Sequence, residues 1–147
     1  MTANLDIAQH VGPMVITLVY ILLYYGLQIN ILRVKNSLVR EYRERGERFD
    51  RYFGDDRKML AADRMQLNML EHMPPFLALL WLNALFVGPF GATIAGSIYL
   101  TSRLLYPVLL GSRVGRGVRG KILYATVPGY AVTLYFAVRL VLALLVG

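Results

Sequence analysis

The stretch "RMQLNMLEHMPPFLALLWLNALF", Arg64–Phe86, decides how this chain is read. Its second half is almost unbroken apolar sequence of the kind that enters hydrocarbon. Its first half carries Arg64, Gln66, Asn68, Glu71 and His72. An unpaired charge in hydrocarbon costs at least about 2.5–3.5 kcal/mol on insertion scales. Charges set at such a position need partners, and the rest of the sequence has to supply them.

Outward from this stretch, the composition points to a membrane. The 147 residues amount to one domain, with a hydrophobic fraction of 56% against a soluble norm of roughly 45–50%. The apolar residues are bunched into runs of about 20, the length that crosses about 30 Å of hydrocarbon. Four spans are expected, at about 11–32, 67–87, 90–110 and 122–146, giving an all-α integral membrane four-helix bundle over residues 1–147. "VGPFG" (Val87–Gly91) joins spans two and three as a tight uncharged hairpin, whereas residues 33–63 and 111–121 form charged loops.

Most of the net charge of +7 falls in those two loops, so it reads as membrane topology rather than nucleic-acid binding. By the positive-inside rule both basic loops are expected in the cytoplasm and both termini outside. The absence of cysteine excludes a thiol nucleophile, disulfides and protein thiolate ligands. His10 and His72 are too few and too far apart for a metal site. Residues 1–12 lack a basic n-region, so the first span is expected to be retained rather than cleaved. A bacterial inner membrane or an endoplasmic-reticulum-type membrane fits, the former preferred.

Within the first loop, Glu41–Arg45, Glu44–Arg48 and Glu47–Arg51 stand at i,i+4 with the acid first, the favoured orientation on a helix. The first helix is therefore expected to continue, with a solvated face, until "FGDD" (Phe53–Asp56). Small residues at Gly91–Ala95, Ala92–Gly96 and Gly129–Thr133–Ala137 suit close helix packing.

The polar residues inside the spans carry the functional signal. Arg64, Asn68, Glu71 and Pro75 share one helical face, and Pro74–Pro75 predict a bend. Span three reads "YLTSRLLYPVLL", with Tyr99, Arg103, Tyr106 and Leu110 at the same spacing. Glu71 and Arg103 both fall roughly 10 Å inside the loop end, which predicts an ion pair or a shared ligand. Taken alone, such a pair could equally be structural. Arg33, Arg64, Gln66, Asn68, Arg116 and Arg119 approach the same mouth. Such a cationic cup with one acid suits a small zwitterionic or anionic ligand bearing carboxylates. His72 points about 100° from Glu71 and reads as a packing residue. Arg139 is expected to snorkel outward, and Tyr20, Tyr24, Tyr25 and Trp81 to pack or face lipid.

"R-x-Q-x-N-x-x-E-x-x-P" followed by "Y-x-x-x-R-x-x-Y" resembles the MAPEG family, the membrane-associated proteins of eicosanoid and glutathione metabolism. "LQINILR" (Leu27–Arg33) and "GDDRKMLAADR" (Gly54–Arg64) extend the resemblance over most of the chain. The resemblance implies a homotrimer of four-helix bundles, of bacterial type, with glutathione as co-substrate held between adjacent subunits on the cytoplasmic side. Arg33, Arg64, Gln66, Asn68, Glu71, Arg103 and Tyr106 would line that site, Glu71 meeting the glutathione amino group and the arginines its carboxylates. Arg119, with Arg116 close behind, would hold the thiol as thiolate for attack on a hydrophobic or lipid electrophile. Catalytic relatives usually place a second tyrosine one turn after the Tyr106 position, and Leu110 stands there instead. The implied function is a glutathione-dependent transferase or peroxidase. Two alternatives compete with it: a non-catalytic lipid-binding scaffold of the same fold, and a small channel or carrier using Glu71 and Arg103.

Overall fold

The computed structural model describes residues 7–112 and 118–146. Four α-helices follow in order: α1 (Ile7–Glu44), α2 (Arg57–Phe86), α3 (Pro89–Leu110) and α4 (Val118–Val146). Three of them, α1, α3 and α4, are long and apolar enough to cross a membrane, making this a multi-pass membrane protein. The polar first half of α2 keeps it out of that class, although its 30 residues reach about 45 Å.

Every pair of helices packs together except α1 and α4, which do not touch among the described residues. Helices α2 and α3 therefore form the shared centre, with α1 and α4 on opposite flanks. Only 17% of the most apolar window of α1, and of α4, is buried within the chain, against 39% for α3. The flanking helices turn most of their apolar surface outward. At the centre, one ring from each helix joins a fully buried aromatic column of Tyr20, Phe76, Tyr99 and Phe136. Phe76 and Tyr99 stack at 3.7 Å between centroids, and Tyr20 and Phe136 lie 5.4 and 6.4 Å from Phe76. Such rings remove large apolar area and add geometric specificity. The Tyr20 hydroxyl donates to the Met69 carbonyl at 2.9 Å. Tyr20 is thus a packing residue, whereas Tyr25 is exposed. Trp81 donates its indole N–H to Thr17 at 3.1 Å.

At the hairpin end, the N–H groups of Val87 and Gly88 both donate to the Asn83 carbonyl. Gly88 takes φ 155°, a conformation that disfavours a Cβ, and Pro89 opens α3 without needing a donor. Asn83 itself is buried, donating to the Leu79 and Phe136 carbonyls at 2.9 and 3.0 Å.

The long loop departs from expectation. Helix α1 stops at Glu44 rather than at Phe53–Asp56. Gly46 adopts φ 73°, its N–H bonds the Arg43 carbonyl, and the Glu47 N–H bonds the Tyr42 carbonyl. That is a Schellman stop with glycine at the left-handed position. Glu44–Arg48 and Glu47–Arg51 consequently do not form, and Glu41–Arg45 alone survives, at 4.0 Å. Lys58 instead donates to both Glu41 oxygens at 2.7 Å, holding the Glu41 carboxyl below the usual carboxylate range. Arg51 grips Asp63 with two bonds of 2.7 and 2.8 Å. Asp50 accepts from the Tyr52 and Phe53 N–H groups, which lowers its carboxyl too. Asp56 caps α2 through Lys58 and Met59. Beneath these polar links lie Leu38, Met59 and Ala62, with Tyr42 and Phe49 against them. The loop is a folded lid on the α1–α2 end rather than a continued helix.

Candidate functional site

Helix α2 divides its faces cleanly. Met65, Met69, Phe76 and Leu80 turn into the core, while the adjacent stripe carries Arg64, Glu71 and Pro75 exposed and Asn68 half-buried. Opposite that stripe, α3 presents Arg103 at 1% exposure and Tyr106 at 8%. Burying a guanidinium this completely is expensive unless its donors are satisfied. The Arg103 Nη1 donates to Asn68 Oδ1 at 2.9 Å, Nη2 to the Ala125 carbonyl at 3.2 Å, and Nε to Ser102 Oγ at 3.3 Å. Its guanidinium carbon also lies 5.1 Å from the Tyr99 ring centre, a favourable cation–π distance.

All three acceptors are neutral. The expected ion pair between Glu71 and Arg103 is not formed, and the ion pairs among the described residues lie elsewhere, in the long loop. Asn68 sits between them in register: it reaches Arg103 first, and Glu71, three residues on, projects from the uncovered flank. Arg103 has five N–H donors, so the three bonds leave one N–H on each terminal nitrogen uncommitted among the described residues. Glu71, Arg64 and Arg33 are exposed and make no hydrogen bond or ion pair among the described residues. Tyr106 lies within electrostatic reach of Arg64, Arg103 and Glu71. These four groups, with Asn68, form one unit: a buried cation, an open acid and a second open cation around a phenol.

Gln66 does not join them. Two residues along a helix turn the side chain by about 200°, and Gln66 bonds the Tyr24 hydroxyl of α1 at 3.4 Å instead. Tyr24 also accepts from Gln28 at 2.9 Å. Arg33 remains on α1, away from this cluster's bonded core. Arg116 lies outside the described residues, as does the side chain of Arg119, whose backbone falls in the first turn of α4. His72 packs edge-on against Tyr130 of α4 at 5.2 Å, as a packing residue should.

A family model described as the MAPEG family matches residues 13–146. The chain belongs to the MAPEG family. None of the curated proteins compared with it matches. As a MAPEG protein it is one of a group of membrane proteins that metabolise glutathione and eicosanoids.

The structure of this MAPEG protein also adds residues that sequence reasoning passed over. Gly129 of α4 stands directly against the Arg103 guanidinium, so that a Cβ there would collide with Nη2 and lie 3.1 Å from Cζ. Ser102 and the Ala125 carbonyl complete the niche. Gly129 is legible in sequence only as one member of a small-residue stripe; its use as space for a cation requires knowing which side chain faces α4. Leu110, where catalytic relatives usually carry tyrosine, is buried in the core at 3% exposure.

Proposed function

We propose that this MAPEG protein is a glutathione-dependent transferase or peroxidase that ionises the glutathione thiol for attack on a hydrophobic electrophile. The observation that carries the reading is the open stripe beside Arg103. An exposed acid, Glu71, and an exposed cation, Arg64, with no hydrogen bond or ion pair among the described residues, flank a buried cation held by neutral acceptors. The exposed Arg64 guanidinium matches a carboxylate, and the open Glu71 carboxylate matches an ammonium. Glutathione offers both groups in one molecule. Along α4, Ala125 lies six residues past Arg119, about 9 Å. A three-residue peptide spans about 10 Å, so a ligand held beside the Arg103 cluster reaches the first turn of α4.

In this reading Glu71 takes the amino group and Arg64 a carboxylate, while Arg103 holds Asn68 in place and adds its positive charge from behind. Asn68 and Tyr106 fix the ligand's orientation. Arg119 or Arg116 then faces the sulfur. A cation within about 4–6 Å favours thiolate and lowers a thiol pKa near 8.5 by one to three units. The thiolate donates its electron pair to the electrophilic carbon, displacing a leaving group or opening a π bond that is then protonated. With a peroxide it attacks an oxygen instead, breaking the O–O bond to give, after proton uptake, an alcohol and a glutathione sulfenic acid. A second glutathione converts that acid to disulfide and water. The exposed flank of α2 needs cover, and a homotrimer would supply it, with Arg33 of a neighbouring subunit approaching the same site.

The test is ultraviolet difference absorbance for thiolate as glutathione is titrated into the detergent-solubilised protein, beside Arg119→Ala, Arg116→Ala and Glu71→Gln. A saturable thiolate signal, lost in one arginine variant and weakened in Glu71→Gln, is expected. Glu71→Gln should leave stability within about 0.5 kcal/mol, because no internal ion pair is broken. Binding without thiolate would replace the enzymatic reading with a lipid-binding scaffold, and no binding would overturn the glutathione site itself.

A further inference from the structure

Away from this site, at the hairpin end, α3 and α4 leave a groove of about 400 Å³ between them. Its walls are Gly91, Ile94 and Ile98 on one side and Pro128, Ala131 and Tyr135 on the other, apolar almost throughout. On α4 these positions continue in register to Arg139, which is i+4 from Tyr135 and shares its face. The Arg139 guanidinium lies 6.0 Å from the Tyr135 ring centre. The same tyrosine hydroxyl stands over Gly91, near the start of α3. Arg139 therefore stands one turn beyond Tyr135, past the hairpin-end mouth of the groove.

Among the described residues Arg139 meets no carboxylate. The sequence contains no Asp or Glu after Glu71, and Glu71 belongs to the opposite end of the bundle. Asp6 lies outside the described residues. No other Lys or Arg follows Lys121, so this is a single cation on an otherwise apolar half-helix. It stands seven residues, about 10 Å, short of the end of α4. An arginine near the outer end of a span turns its guanidinium toward the headgroup level, and among the described residues its contact is the Tyr135 ring face.

We propose that the α3–α4 groove with Arg139 is a phospholipid site: the lipid phosphodiester meets the guanidinium, and the upper part of one acyl chain lies between Gly91 and Ile98. The charge complementarity selects a phosphate, and the apolar walls select its attached chain. Gly91 keeps the mouth open, and Tyr135 orients the guanidinium from below. This site shares no residue with the Arg103 cluster and stands whether or not that cluster binds glutathione.

Native mass spectrometry of the full chain in mild detergent, titrated with phosphatidylglycerol, tests it. Arg139→Gln removes one charge-assisted contact and should weaken retention of the first lipid by about tenfold, with Arg139→Lys retaining most of it. Ala131→Phe fills the groove and should abolish that first adduct; Ile94→Trp gives the same result if the former variant misfolds. Excess inorganic phosphate should not displace the lipid. Equal retention in wild type, Arg139→Gln and the groove-filling variants would mean annular lipid only and would overturn the proposal. Loss in the groove variants alone would overturn the phosphate assignment, and displacement by inorganic phosphate would overturn the acyl-chain assignment.

Discussion

Replacing Gly129 by alanine should invert an ordinary rule. In a helix interior alanine is usually favoured over glycine by about 0.5–1 kcal/mol. Gly26, also mid-helix, has nothing within 4 Å of an added Cβ, so Gly26→Ala should follow that rule and stabilise. At Gly129 the added methyl collides with Nη2 of Arg103 and presses on Ser102 Oγ at 3.3 Å. The guanidinium is nearly inaccessible to water, so it cannot swing into solvent as an exposed side chain would. It must surrender its bond to the Ala125 carbonyl. A hydrogen bond to a charged group contributes about 1.5–3 kcal/mol. Subtracting the propensity gain leaves a net loss of about 0.5–2.5 kcal/mol for Gly129→Ala. Denaturant unfolding of both variants in the same detergent, followed by far-ultraviolet circular dichroism, measures the difference. The refuting result is Gly129→Ala equal to or more stable than wild type, which would mean that Arg103 is not wedged against α4.

The loop lid should respond to acid. Lys58 depresses the Glu41 carboxyl, so the pair stabilises the lid above the free carboxylate range, near pH 4.3, and that contribution disappears as pH falls through the lower folded value. A spin label at Phe53→Cys, in a chain otherwise free of cysteine, should gain mobility below that range. Glu41→Gln should already be mobile at neutral pH and flatten the transition; superimposable curves would refute the clasp. At the hairpin, Asn83→Ala removes two buried donations and should destabilise by about 0.5–2 kcal/mol. Unchanged unfolding would show that the turn is held by Gly88 and Pro89 without the side chain.

Much of this protein was determined by sequence alone. Hydrophobic runs with loops between them imply a helical membrane bundle, because hydrocarbon permits few other folds to satisfy the backbone. The spacing of Arg64, Asn68 and Glu71 along α2, and of Arg103 and Tyr106 along α3, is fixed by the helical period and puts each set on one face. "VGPFG" announces its own turn through Gly88 and Pro89. The end of α1 was also written in the chain, as Gly46, but the acid-first charge pairs argued louder for a longer helix. A pairing rule worth a few tenths of a kcal/mol does not outweigh a glycine poised for the left-handed stop.

Tertiary structure alone decided the partners. Equal depth along two helices made Glu71 and Arg103 look matched, yet depth says nothing about rotation about each axis. Packing of α2 on α3 gives Arg103 to Asn68 and leaves Glu71 open. Likewise Gln66 goes to Tyr24 of α1, and Arg51 finds Asp63 across the loop instead of Glu47 along a helix. Gly129 becomes meaningful only when α4 is laid against Arg103. Helical periodicity is a local property of the chain and can be read from spacing, whereas the choice of partner depends on the rotation of each helix about its axis, which the close packing of the whole bundle fixes.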